Sequence, residues 1–145
     1  MRNTCVLLTV IRRIVLDTNC LLQSLPSESP YHRIWESVLE GQISLCVNNE
    51  ILDEYEEILS QKTNKDVAYN VVEAIARLST TVYQETYIHF GLIYDDPDDN
   101  KFVDCAVAAQ AEYIVTNDKH FNVLNNLPWP KLVVLNIKEF VKQLL

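Results

Sequence analysis

Four short stretches of this chain are apolar at nearly every position: Ile14 to Leu16, "ISLCV" at 43–47, "YIVT" at 113–116 and "LVVL" at 132–135. Each is too brief for a helix and rich in β-branched residues, so each reads as a strand. Strands that lack polar alternation must be covered on both faces, which is the condition of a parallel sheet. The intervening stretches carry helical spacing. Residues 31–41 place Ile34, Trp35, Val38 and Leu39 on one stripe and end at Gly41, while residues 48–60 do the same with Ile51, Leu52, Tyr55, Ile58 and Leu59 behind Asn48 or Asn49 as N-cap. Further helical patterns run over 65–79, 98–110 and 136–145. Strands alternating with amphipathic helices predict an α/β fold, a three-layer α/β/α domain with a mostly parallel central sheet.

Two glycines and five prolines in 145 residues, with no Ser/Gly-rich linker or repeat, predict one domain over residues 1–145. Residues 1–11 read either as part of the fold or as a poorly ordered leader: the apolar run from Cys5 to Ile11 is too short to cross a membrane and runs into Arg12 and Arg13 without a small-residue cleavage site. The four cysteines, Cys5, Cys20, Cys46 and Cys105, form no C-x-x-C pair and sit in apolar segments, which suits a reducing, cytoplasmic setting.

In parallel α/β sheets ligands gather outside the carboxyl ends of the strands. Asp17 ends the first strand and Asp118 follows the third by two residues, so two carboxylates lie on that edge. Helical angles sort the other acids at about 100° per residue. On the helix opening near Asn49, Glu54 and Glu56 flank the apolar stripe on either side, and geometry does not choose between them. In "DDPDDNKFVDCAVAAQ", Asp99 projects onto the middle of the stripe beneath Phe102 and Val103, whereas Asp98 and Asp104 fall off it. Each acid taken alone has a local use, Asp17 and either Asp98 or Asp99 as helix caps and Asp118 as a turn opener. Together they repel one another unless a cation lies between them.

Oxygen donors of this kind suit a hard ion, Mg²⁺ or Mn²⁺. The three histidines have no zinc spacing, and no glycine-rich phosphate loop or nucleophile elbow is present, so no nucleotide cofactor is expected. A net charge of −8 argues against gripping nucleic acid through the overall field.

The segments "VLDTN" (15–19), "NNEILDEYEEIL" (48–59), "DPDDNKFVDCAVAAQAEYIVTNDKHF" (96–121) and "LVVLNIKEFVKQL" (132–144) resemble the PIN domain family, in its branch of VapC-like toxin components of toxin-antitoxin systems. Carried over position by position, the resemblance implies an acidic quartet of Asp17, Glu54, Asp99 and Asp118, and so selects Glu54 over Glu56. It makes Asp17, Asp99 and Asp118 metal ligands, with Glu54 ligating a second ion or orienting water, and Asp104 an additional acid. Thr116 and Asn19 match supporting polar positions. The implied activity is an Mg²⁺- or Mn²⁺-dependent ribonuclease in which an activated water attacks the phosphodiester in line. Implied partners are RNA, a cognate antitoxin and a second copy of the chain, with no membrane. Arg12, Arg13, Lys62, Lys65, Lys101, Lys119 and His120 are candidates for phosphate contacts.

Other sheets of this kind fit less well. A phosphotransferase using Asp17 as nucleophile expects a second Asp where Asn19 stands, and a receiver domain expects a Lys after a late strand, where Lys131 instead precedes one. A silent module that binds RNA or protein without cutting is the non-enzymatic alternative, against which all four quartet positions are acidic.

Overall fold

The computed structural model describes residues 12–144; residues 1–11, read as fold or leader and Cys5 included, lie outside them. Among the described residues, five parallel strands form one sheet: β1 (Arg12–Leu16), β2 (Ile43–Val47), β3 (Val82–Tyr83), β4 (Tyr113–Val115) and β5 (Val134–Leu135), in the order β3-β2-β1-β4-β5. The expected parallel sheet is thus present, and β3, which the sequence reading did not anticipate, extends it. Two residues paired to the end of β2 are too few to show a period.

Among the described residues, six α-helices connect and follow the strands. They are α1 (Thr18–Ser24), α2 (His32–Leu39), α3 (Asn49–Lys62), α4 (Lys65–Arg77), α5 (Asn100–Ala109) and α6 (Ile137–Lys142), with 3-10 turns at Pro97–Asp99 and Lys119–Asn126. Asn48 caps α3 as expected, accepting the Ile51 N–H at 2.8 Å. Gly41 follows α2 with φ +81°, the left-handed conformation that glycine adopts without penalty after a helix end.

Chain order runs from β1 to β2 and β3 in one direction and then reverses to β4 and β5. Right-handed crossovers in opposite directions put their helices on opposite faces, which gives the three layers. The apolar residues of the central strands are accordingly buried: Ile14, Val15 and Leu16 on β1, and all of Ile43 to Val47 on β2. The reversal falls between β1 and β4, and the crevice at such a switch point, beyond the carboxyl ends of the strands, is the ligand position of open parallel sheets. No helix among the described residues is long and apolar enough to cross a membrane.

Candidate metal centre

The register of β1 on β4 pairs Leu16 with Val115, so the next residues, Asp17 and Thr116, leave the sheet side by side. The Asp17 backbone N–H donates to the Val115 carbonyl at 3.0 Å, and the Thr116 N–H to Leu135 at 2.9 Å. Thr116 Oγ1 donates to Asp17 Oδ2 at 2.6 Å and accepts the Asp118 N–H at 3.0 Å. One hydroxyl therefore ties the carboxylate after β1 to the backbone after β4. Asp17 Oδ1 accepts the Asn19 N–H at 3.2 Å, so Asp17 also caps α1. Asn19 itself is exposed and contributes only this backbone group. Burial pushes the Asp17 carboxyl above its ordinary range, and the Thr116 bond works in the opposite sense.

Asp118 and Asp99 arrive from two different elements. Asp118 opens the Lys119–Asn126 turn and accepts the His120 N–H at 2.9 Å. Asp99 ends the Pro97–Asp99 turn at the start of α5 and makes no capping bond. What holds the two elements together is the core beneath them. Phe102, one turn along α5, meets Phe121 with ring centroids 6.5 Å apart, and both rings are fully buried.

Four ligating atoms from Asp96, Asp99, Asp118 and His120 all lie within 4.8 Å of one another. His120 Nδ1 is 3.2 Å from Asp118 Oδ1 and 3.9 Å from both Asp96 Oδ2 and Asp99 Oδ2. Yet His120 Nδ1 and Asp99 Oδ2 are buried atoms with no hydrogen-bond partner. Burial first, then the neighbouring carboxyls of Asp118, Asp96 and Asp17, push the Asp99 carboxyl up to about 8.

Glu54 completes the acidic edge from the other side. Its neighbour Tyr55 is wholly buried and donates its hydroxyl to the Leu16 carbonyl at 2.5 Å, which seats α3 against the end of β1. Glu54 is thereby turned inward and Glu56 is exposed, so tertiary packing separates the two acids that helical angles left equivalent. Both Glu54 oxygens are engaged, Oε2 by the Thr18 hydroxyl and Oε1 by Lys101 Nζ at 2.7 Å.

The structure thus brings Asp17, Glu54, Asp99, Asp118 and Thr116 to one edge. Asp104 is elsewhere: its buried carboxylate takes the Phe90 N–H at 3.1 Å and His89 Nδ1 at 3.2 Å, and so anchors the segment after β3. Asp96, His120 and Thr18 belong to the site although the sequence reading made none of them a ligand or positioning group. The i, i+3 spacing of Asp96 and Asp99 and the adjacency of His120 to Asp118 were the available signals. Arg12 and Arg13 lie at the amino end of β1, where their guanidinium groups bond Gln143 and the Ala109 carbonyl, away from the acids.

A family model described as PIN domain matches residues 13–120. No curated protein matches the chain. Eight chains of solved structures match. One of them is a chain of VapBC2 from Rickettsia felis bound to a DNA fragment from the promoter, similar at 17% identity and a TM-score of 0.59, with 86% of this chain and 98% of that chain covered. That likeness supports the three-layer fold.

Proposed function

Because the chain belongs to the PIN domain family, we propose that it is a metal-dependent endoribonuclease of the VapC toxin type, using Mg²⁺ or Mn²⁺ and partnered by a cognate antitoxin. The observation that carries the reading is the Asp96, Asp99, Asp118 and His120 cluster, with two of its ligating atoms buried and unpartnered. Buried polar atoms are ordinarily hydrogen-bonded, and two unpartnered ones 3.9 Å apart beside further carboxylates fit the donor set of a divalent cation. The likeness to VapBC2, which in its structure is bound to promoter DNA, fits a toxin with an antitoxin partner. A second copy of the chain and a cytoplasmic setting complete the expectation.

The chain's residues divide the work. A divalent cation bound here would supply the Lewis acidity that activates water and offsets charge on the phosphate oxygens. Asp99 and Asp118 would hold it from two elements, with Asp96 and His120 as further donors. Asp17 approaches from β1 with its carboxylate held in one orientation by Thr116 and Asn19, so the negative edge does not have to rearrange when substrate arrives. Burial and the neighbouring carboxyls push Asp99 up to about 8, so holding a cation there would require its proton to pass to solvent. Beside Asp118 opens a cleft of about 590 Å³ whose lining includes Asn117, Lys119, Asn122 and Asn125. On the Glu54 side the groove is lined by Glu50, Asp53, Glu54, Glu57 and Asp98 together with Lys101, so a polyanion enters more favourably past Asp118 and meets the other side at that ammonium.

Incubating a mixed RNA pool with the purified protein in Mg²⁺, Mn²⁺ or EDTA, with folded Asp17→Asn alongside, tests the reading. Cleavage that needs metal and is lost in the variant supports it. A protein that binds metal and RNA but leaves the pool intact would be a binding module instead.

A further inference from the structure

The acidic edge has two ends of different character. At the Asp99 end, among the described residues, no lysine or arginine forms an ion pair with Asp17, Asp96, Asp99 or Asp118. At the Glu54 end a cation is already in place. Lys101 Nζ lies 2.7 Å from Glu54 Oε1 and its side chain is only 12% exposed. The ammonium also donates to the Asp98 carbonyl at 2.8 Å and sits 5.4 Å from the centre of the Phe102 ring. The second Glu54 oxygen takes the Thr18 hydroxyl. A divalent ion ligated by Glu54 would have to share an oxygen with one of these donors, and beside Lys101 it would face a positive charge within the same few ångströms.

We propose that Lys101 is the resident cation of the Glu54 end, so that a single divalent ion, held at the Asp99 end, completes the site. This rests on the nuclease reading above and refines it: Glu54 is a positioning residue for Lys101 rather than a ligand. An ammonium has three hydrogens to donate. Glu54 and Asp98 accept two, and the third has no acceptor among the described residues, which leaves it for a non-bridging oxygen of the bound phosphodiester. Asp99 and Lys101 are two residues apart at the start of α5, about 200° around the helix, so one helical turn presents a carboxylate to the metal and an ammonium to the glutamate. A lysine serves here as a compact point charge whose three donors can rotate to suit their acceptors.

The test is a count of ions. Mn²⁺ is titrated into wild type, Glu54→Gln, Lys101→Met and the double variant, with bound ion read by calorimetry and by loss of the free Mn²⁺ resonance signal. Wild type and Glu54→Gln are expected to bind one ion with affinities within about threefold of each other, corresponding to ~0.6 kcal/mol. Lys101→Met, which bares the Glu54 carboxylate, is expected to bind two, and the double variant one again. Two ions on wild type, one of them lost in Glu54→Gln, would overturn the proposal while leaving the nuclease reading intact. One ion on folded Lys101→Met would overturn it as well. No ion on any protein would overturn both readings. The first site reports that each variant has folded, and if Lys101→Met does not fold, wild type against Glu54→Gln still decides.

Discussion

Thr116→Val removes one hydroxyl and keeps the shape of the side chain, so its effect can be worked from two hydrogen bonds. Thr116 is 3% exposed and its 2.6 Å bond goes to a carboxylate that is 9% exposed. A hydrogen bond to a charged group contributes about 1.5–3 kcal/mol, and leaving the Asp118 N–H without its acceptor adds up to ~1 kcal/mol because water reaches that side. With no cavity created, the expected loss is about 2.5 kcal/mol at pH 7. For a chain of 145 residues, at an unfolding entropy of roughly 2.1 cal/mol/K per residue, the melting temperature should fall by about 8 °C. Thr116→Ser, which keeps the hydroxyl, should lose well under half of that.

The pH dependence has a definite sign. Burial already raises Asp17 above its ordinary value of 3.8, with Thr116 opposing, so the valine variant raises it further. Between the unfolded and folded values the native state holds a proton that the unfolded chain has released. Stability therefore falls as pH rises through that window, and is fully regained only below the unfolded value. The valine penalty should shrink toward pH 3.5, where a neutral carboxyl needs no charge-assisted donor. Circular-dichroism melts in EDTA at pH 3.5, 5 and 7 measure it. A valine variant melting within about 2 °C of wild type at pH 7 would refute the idea that this hydroxyl stabilises an ionised Asp17.

Asp99, pushed up to about 8, should make the metal-free protein lose stability between pH 4 and 8, because its folded value lies above its unfolded one. Urea titrations in EDTA should show that slope in wild type and a flatter one in Asp99→Asn, with added Mn²⁺ restoring wild type alone. Tyr55→Phe deletes the hydroxyl bonded to the Leu16 carbonyl and should cost about 1 kcal/mol of unfolding free energy. The Cys20 and Cys105 thiols are buried and pushed up to about 12. Neither should be labelled by a disulfide reagent at pH 8 until denaturant is added, as absorbance of the released thiolate would report.

The linear pattern was sufficient for whatever depends on neighbours in the chain. Apolar runs at Ile14–Leu16, 43–47 and 113–115 are strands because each must be buried on both faces, and the side of α5 that Asp99 occupies follows from its spacing to Phe102 and Val103. Asp17 and Asp118 lie at the ligand edge because strand direction places them there. What the pattern left open depends on contacts between segments far apart. Helical angle alone put Asp104 off the apolar stripe, but the segment holding His89 and Phe90 covers it and makes it a buried anchor. Glu54 and Glu56 are equivalent on an isolated helix until Tyr55 docks on Leu16 and Lys101 approaches from α5. His120 and Asp96, 24 positions apart, become neighbours through the packing of Phe102 on Phe121. Periodicity encodes which face of an element is buried. Which charges meet across that face is decided when the elements pack.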